Sequence, residues 1–334
     1  MKAIDLINSL PADTKEKVED AWKKYNLFLR ETIRSETRLS LYSGRDNGVP
    51  EKRDKQTTTK IPIKMDIAYP RQLEALEIPE EFKLAALLSP IRPDLIKLKE
   101  SAGEVISFIV EYQDNPHILN YCGGAICYAG DEANELLNIT EHYDFAKEIL
   151  QIDNNILGHY RFTPKSMYEE NFSSGEASIS LYWGVIGLIA KTLGVDIHAL
   201  TAVVLAHELA HAYTHLGYDI NGHRWNDESW RFSEPALIEG LAQYYTERTM
   251  FKLQQMIPRG YEAYLKLLEK QPRDYQTHKR WITQMKADPE AIRLTLISLR
   301  RGAPIELPHF DDVLQRNIYT VQRGGNEDSL KSFS

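Results

Sequence analysis

The sequence predicts an α+β protein in which a strand-containing central part lies between two helical regions. Near the start of the chain, apolar residues such as Val18, Trp22 and Tyr25 recur at helical spacing. In the middle, short runs rich in β-branched and aromatic residues follow, among them 105–110 and 177–182. Beyond residue 196 helical spacing returns. Strand formers therefore concentrate in the middle of the chain, and helix formers dominate on either side.

Composition limits the classes of protein that fit. The 334 residues carry a formal net charge of −8, which disfavours nucleic acid as the main partner. The most apolar stretch, 179–206, is interrupted by charged residues into pieces too short to cross a membrane, and no signal-peptide core is visible. The only cysteines are Cys122 and Cys127, for which reduced core thiols are preferred over a bridge. These features predict a soluble, cytoplasmic protein.

Four regions are predicted along the chain. The first, 1–103, is mainly helical and contains a polar linker near 43–60 with almost no large apolar residue. Residues 104–250 form the central domain and 251–322 a C-terminal helical region. The remainder, 323–334, is rich in Gly, Ser and charge and is expected to be disordered.

The elements of the central domain follow from its local patterns. Strands are predicted at 105–110, 156–162 and 177–182, with a hairpin formed by 118–121 and 125–128 around Gly123-Gly124 and a loop at 163–175. Helices are predicted at 131–137, at 185–193 before Gly194, and at 196–216 before Gly217.

The helix predicted at 196–216 carries the most informative motif. His207 and His211 are four residues apart, so their imidazoles lie one turn apart on one face and can bind one metal ion. Glu208 follows the first histidine, and its carboxylate can reach a water on that metal. The preceding run 200–206 is apolar, which predicts a buried helix in which three unpartnered polar side chains would be costly. The H-E-x-x-H pattern indicates a catalytic zinc site.

A catalytic zinc takes three protein ligands and leaves one position for water. Glu239 lies on a helix predicted after the loop 218–233, so a helix–loop–helix hairpin can return it to the metal. Glu234 competes for this role, but it falls at the helix entrance, where the helix dipole explains an acidic residue. Ser233 is predicted to cap this helix. Glu239 is the preferred third ligand.

These residues resemble the gluzincin zinc metallopeptidases, the group of thermolysin-like and aminopeptidase-like enzymes. The resemblance rests on His207-Glu208-Leu209-Ala210-His211 and Ile238-Glu239-Gly240-Leu241-Ala242, and it covers roughly 105–250. It implies a zincin-like catalytic domain in which His207, His211 and Glu239 bind Zn²⁺. It also implies that Glu208 is the general base and then the acid in the hydrolysis of a peptide or protein substrate.

The resemblance raises further expectations and shows two departures. The segment 177–182 resembles the family's edge strand, which pairs with an extended peptide. Thr214 and Gly217 stand where the metzincin group has Gly and His, so that group is excluded. Gln243 stands where thermolysin-like enzymes have an Asp that orients a ligand histidine. Its amide oxygen could accept the same hydrogen bond.

The developing oxyanion needs a donor besides zinc. The candidates are His223, Tyr244, Tyr245 and His215. His223 follows a tight turn in the loop between the ligands and is preferred over Tyr244, although an ordinary solvated histidine is the competing interpretation. His215 is interpreted as a helix-end histidine stabilised by the dipole. The aromatic residues Trp225, Trp230 and Phe232 either line a substrate pocket or pack the loop.

Two other functions stay open at this point. One is a zinc hydrolase that acts on a non-peptide amide. The other is a catalytically inactive protein that uses the zincin fold for binding or regulation. A purely structural zinc is disfavoured because two histidines and one glutamate leave a coordination position open. Arg300-Arg301 is interpreted as a helix-end pair and not as a nucleic-acid patch.

Overall fold

The computed structural model describes residues 2–41, 63–66, 73–74, 76–111, 124–153, 155–163 and 176–331. The predicted linker near 43–60, the first half of the predicted hairpin at 118–121 and the loop residues 164–175 lie outside these ranges.

The described residues are mostly helical and contain one small sheet, which confirms the α+β class. The helices are α1 (Ala3–Asn8), α2 (Thr14–Thr37), α3 (Lys83–Leu88), α4 (Arg92–Glu111), α5 (Gly124–Glu141), α6 (Phe145–Leu150), α7 (Trp183–Leu193), α8 (Ile197–Leu216), α9 (Asp227–Phe232), α10 (Pro235–Lys252), α11 (Gly260–Lys270), α12 (Thr277–Thr283), α13 (Pro289–Leu299) and α14 (Leu307–Lys331). Three-residue or four-residue 3₁₀ turns occur at Glu80–Phe82, Ser89–Ile91 and Arg273–Gln276. The strands are β1 (Ile63–Asp66), β2 (Gly158–Thr163) and β3 (Glu176–Tyr182).

The chain forms two compact units, and each is built from segments that are far apart in the sequence. The first unit comprises Met1–Asp20, Asp66–Leu157 and Tyr182–Leu200, and the second comprises Ala21–Met65, Gly158–Leu181 and Thr201–Ser334. The regions predicted from the sequence are contiguous, with boundaries near 103, 250 and 322. Helix α14 continues to Lys331, into the segment for which disorder is predicted.

In the first unit, α4 packs against α5 through Leu95, Ala133 and Leu137. The strand predicted at 105–110 is wrong, because these residues form the last turns of α4. A short apolar run is compatible with a strand and with a helix segment. Here the run is the last part of a 20-residue helix, α4, and a helix of this length is typical where a strand would be too long. Residues 125–128 of the predicted hairpin also lie in a helix, α5. Cys127 is exposed on α5, not in the core as expected.

Helix α7 confirms the helix predicted at 185–193. Its Val185, Ile186 and Leu188 are fully buried. The helix ends at Gly194, whose φ of +62° is the left-handed conformation that favours glycine at a helix C-terminus. A Cβ atom at Gly194 would come within 2.7 Å of the Pro93 Cβ atom, so close packing also requires glycine here.

The sheet has the strand order β1-β3-β2, and β2 pairs antiparallel with β3, with Tyr160 opposite Ile179. The strands predicted at 156–162 and 177–182 are confirmed. The expectation that 177–182 is an edge strand is wrong, because β3 lies between the other two strands. Its second neighbour, β1, comes from the region 1–103, which is predicted to be mainly helical. Within the described residues, β2 is therefore an edge of the sheet.

The two helices that carry the metal motif lie in the second unit, apart from the first residues of α8. Helix α8 is buried along residues 201–216, as the apolar run predicts. The loop predicted at 218–233 contains the short helix α9. Glu234, not Ser233, is the residue that precedes α10. The Ser233 hydroxyl instead donates to the Ser229 carbonyl oxygen.

A buried arginine, Arg300, stabilises the segment that follows α8 by hydrogen bonds to its backbone. Arg300 is completely buried, and its guanidinium donates to the carbonyl oxygens of Gly217 (2.8 Å) and His223 (2.6 Å). It also lies 3.3 Å from the Asp219 carboxylate, to which Arg301 donates at 2.8 Å. Arg300 stands at the C-terminal end of α13, as predicted, and it is also a buried structural residue that holds the segment after α8.

Replacing Arg300 by Met is expected to lower the free energy of unfolding by about 3 to 5 kcal/mol, because two carbonyls and part of a buried ion pair lose their partner. Arg301→Met is the matched control. It removes a partly exposed arginine from the same carboxylate and should cost below about 1 kcal/mol. Denaturant unfolding of both variants measures the difference, and equal losses would contradict this role for Arg300.

None of the helices among the described residues combines the length and the apolar character that are needed to cross a membrane.

Candidate metal centre

The structure brings His207 and His211 of α8 together with Glu239 of α10. The Nε2 atoms of the two histidines are 3.0 Å apart. The Glu239 Oε2 atom lies 3.1 Å from the Nε2 atom of His207 and 3.4 Å from that of His211. Of the described residues, these are the group of His, Cys, Asp and Glu side chains whose donor atoms converge closely enough to hold a metal ion.

The spacing of the three atoms fits a tetrahedral zinc ion. Zinc binds imidazole nitrogen and carboxylate oxygen at about 2.0 to 2.2 Å, which places two ligands of a tetrahedron about 3.3 to 3.6 Å apart, close to the separations seen here. The observed separations lie between 3.0 and 3.4 Å. The Glu239 Oε2 atom is buried and has no hydrogen bond of good geometry within the described residues. A cation at the centre of the three atoms would satisfy it.

The electrostatics of the centre also fit a cation. Burial by itself raises the pKa of Glu239, but His211 and His207 outweigh burial and hold that pKa well below its ordinary value. Burial lowers the pKa of His211, whereas the charge of Glu239 outweighs it and leaves that pKa above its ordinary value. The directions of both pKa shifts favour a charged carboxylate at Glu239 with positive charge beside it.

Glu208 is the fourth polar residue at this place. Its side chain is buried, and the Oε2 atom meets no hydrogen-bond partner among the described residues. Burial raises the pKa of Glu208, and the nearby charges of His207 and His211 offset part of this rise. A carboxylate with a raised pKa is better suited to accept and return a proton near neutral pH.

Gly158, the first residue of β2, leaves room for the Glu208 side chain because it has no Cβ atom. A Cβ atom at Gly158 would come within 3.0 Å of the Glu208 Oε1 atom and within 2.9 Å of the Val204 Cγ1 atom. Glycine therefore lets the edge strand approach α8 at the level of this carboxylate. The backbone of Tyr160, two residues further along β2, forms a hydrogen bond with Glu208.

A buried network joins β2 to the end of α8. The Tyr160 hydroxyl and the Nδ1 atom of His215 are 2.9 Å apart, and the Nε2 atom of His215 is 3.1 Å from Asp227. Arg224 donates two hydrogen bonds to the same carboxylate, and Trp230 stacks on the His215 ring at 4.3 Å. Both His215 nitrogens are thus engaged, so His215, which stands in the last turn of α8 as predicted, also connects α8 to β2 and α9.

Three residues of the predicted site lie outside the metal cluster or make other contacts. The side chain of His223 is 51% exposed and lies beside Asp219. Tyr244 is buried in the core, where it meets the Tyr245 ring edge to face and lies beneath Arg248. Gln243 donates to the Gln271 side chain at 3.1 Å.

The hydrogen bond expected from a ligand histidine to Gln243 is not formed. The Nδ1 atoms of His207 and His211 and the Oε1 atom of Gln243 are buried and have no partner within the described ranges. The Gln243 amide instead uses its NH2 group, which donates to Gln271 just after α11. The sequence does not show this long-range contact.

Tyr275 is a neighbour of the centre that the sequence does not indicate. It lies in the 3₁₀ turn Arg273–Gln276, is 2% exposed, and stacks on the imidazole of His207. Its local sequence is that of an ordinary polar turn, and it is 36 residues beyond Glu239. Only tertiary packing brings it to the ligand.

The loop aromatics have separate roles. Trp225 is completely buried, and its indole N–H donates to the Ser229 hydroxyl. Trp230 packs on His215, whereas Phe232 is 68% exposed. Two of the three therefore pack the loop.

Comparisons of the chain with protein-family models, with curated proteins and with solved structures found no match.

Proposed function

We propose that this protein is a zinc-dependent peptidase of the gluzincin type, with a zincin-like catalytic domain. The observation that carries the proposal is the convergence of the buried His207 and His211 with the largely buried Glu239, with the buried Glu208 carboxylate beside them. Two imidazoles and one carboxylate are a ligand set of catalytic zinc, since they leave a position open. Glu208 is adjacent in sequence to a ligand but is not part of the converging set.

The chain's own residues divide the work. His207, His211 and Glu239 would hold the ion. A zinc ion, when bound, supplies Lewis acidity that acts on water and on the substrate carbonyl. Glu208 takes a proton from the attacking water and returns it to the leaving amine, and its buried, hydrogen-bonded position keeps it oriented for both transfers. Hydrophobic residues of α8 around the motif keep bulk water away from this carboxylate.

The test is a cleavage assay of the purified protein on a mixed peptide library. Peptide cleavage that a chelator abolishes and added zinc restores is the expected result. Cleavage confined to non-peptide amides would change the substrate class while leaving the chemistry intact. Zinc binding without hydrolysis of either substrate type would leave a zinc-binding protein and contradict the enzyme proposal.

Gly158→Ala is expected to slow hydrolysis by about 10- to 100-fold, because a displacement of a catalytic group by about 1 Å has an effect of this size. The added Cβ atom would press on Glu208 and Val204, not on a metal ligand, so zinc affinity should stay unchanged. Steady-state kinetics and a zinc titration of the same preparation measure both.

Gly103→Ala is the control for this substitution. Gly103 lies on α4, and a Cβ atom there would meet nothing within 4 Å. Its kinetics should match those of the unaltered chain. Unchanged hydrolysis in Gly158→Ala as well would mean that the approach of β2 does not set the position of Glu208.

A further inference from the structure

Among the described residues, no side chain or backbone group forms a hydrogen bond with the Nδ1 atom of His207 or of His211. Both atoms are buried. Metal-binding imidazoles in proteins almost always donate this N–H to a carboxylate, a carbonyl or water, which sets the orientation of the ring. In the part of the chain that the structure describes, the contacts that restrain these rings are those made with their faces and edges.

The phenol ring of Tyr275 provides such a contact for His207. The two ring centroids are 5.4 Å apart and the ring planes are inclined by 21°, which is an offset stack. Rotation of the imidazole about its Cβ–Cγ bond would drive the ring edge into the phenol. His207 in turn meets His211 edge to face, with centroids 4.6 Å apart. One stacked aromatic ring therefore restrains both imidazoles.

Tyr275 is itself held in place by a buried histidine. The Nδ1 atom of His278 donates to the Tyr275 carbonyl oxygen at 3.0 Å, and His278 is completely buried. Its Nε2 atom lies 3.0 Å from the Glu247 carboxylate and 2.9 Å from the Tyr264 hydroxyl. Glu247 is on α10, eight residues after Glu239. The helix that carries the third ligand thus also anchors the turn that carries Tyr275.

Close packing beside Glu239 keeps this arrangement compact. A Cβ atom at Gly240 would lie 3.0 Å from the Thr277 Cβ atom and 3.1 Å from the Trp281 ring. The glycine next to the ligand therefore allows α12 to lie directly against α10. Tyr275, two residues before Thr277, has little freedom to move away from His207.

We propose that Tyr275 is a positioning residue that orients His207 for zinc by ring stacking. The inference rests on the proposed function only in requiring that the cluster binds zinc. It is the planar ring that matters, so Phe should substitute for Tyr275 and a flexible aliphatic side chain should not. The role is measured as metal affinity and needs no turnover.

The experiment compares zinc dissociation constants, from competition with a chromophoric chelator, for the full chain and four variants. Tyr275→Met keeps the bulk but removes the plane, and should weaken zinc binding by about 10- to 100-fold, the range for lost partners of ligand histidines. Tyr275→Phe should bind zinc as the unaltered chain does. Tyr25→Met makes the same change at another buried tyrosine, on α2, and should leave affinity unchanged. His278→Leu keeps the Tyr275 ring but removes the hydrogen bond to the Tyr275 carbonyl oxygen, and should weaken zinc binding less than Tyr275→Met.

Thermal unfolding checks that each variant is folded. If Tyr275→Met does not fold, the zinc affinity of His278→Leu tests the inference. Zinc affinity in Tyr275→Met equal to that of the unaltered chain would overturn the inference. So would an equal loss in Tyr275→Phe and Tyr275→Met, since the hydroxyl and not the ring would then be responsible. If the unaltered chain binds no zinc, the proposed function itself fails, and this outcome is distinguishable because it precedes any substitution.

Discussion

Glu208→Gln is expected to reduce peptide hydrolysis by about 100- to 10,000-fold, the contribution typical of a positioned general base. The amide has nearly the shape of the carboxylate but cannot accept a proton at the pH of the assay. Glu208 does not belong to the converging ligand set, so the variant should still bind zinc. Initial rates on a cleaved peptide, measured at saturating zinc, give the comparison.

Glu228→Gln is the matched control for this substitution. Glu228 is exposed on α9, and the same exchange of charge there should leave the rate unchanged. Retention of full activity in Glu208→Gln would contradict the catalytic assignment. Loss of zinc in this variant would instead show that Glu208 takes part in metal binding.

Glu239→Gln is expected to weaken zinc binding by more than about 100-fold, beyond the effect of losing a partner of a ligand. The pKa of Glu239 lies well below its ordinary value because of His211 and His207, so this side chain is the charged member of the cluster. Its substitution removes both a ligand and the negative charge that balances the ion. Zinc titration of the variant, in competition with a chelator, measures the loss. Activity should fall in parallel.

Glu234→Gln provides the comparison for the third ligand. Glu234 is the other candidate from the sequence, and its side chain accepts the backbone N–H of Leu307 at the start of α14. Its substitution should leave zinc affinity unchanged and affect only stability. Equal losses of affinity at 234 and 239 would mean that the hairpin between α8 and α10 does not select Glu239.

The sequence predicts the elements that position the centre better than the contacts around it. The spacing of His207 and His211 and the apolar run before them are local features, and α8 follows them closely. Glu239 could be selected because Glu234 has a local explanation at the helix entrance. These inferences depend on helix geometry, which is the same in every helix.

The parts that escape the sequence depend on tertiary contacts. The sequence places His215 at the end of α8 but does not show that Tyr160 of β2 contacts it. It also does not show that Tyr275, in a turn after α11, stacks on His207. Tyr244 is five residues after Glu239, which places it on a different side of α10, and helix phase could have revealed this. Gln243 has the expected phase, but Gln271 bonds to its amide.

The errors in the fold have a similar origin. The run 105–110 fits a strand by composition, and only the length of α4 shows otherwise. Segment 177–182 is correctly predicted as a strand, but whether it lies at an edge depends on β1, which comes from a distant segment with weak strand signals. Local patterns therefore gave the wrong type for 105–110, and they do not show which strands lie beside 177–182.

The most direct test of the zinc site is a crystal structure of the protein grown with zinc, with anomalous diffraction recorded on both sides of the zinc edge. We expect one zinc peak bound by the Nε2 atoms of His207 and His211 and by a carboxylate oxygen of Glu239. A zinc peak at other residues, or no peak between these three side chains at saturating zinc, would contradict it.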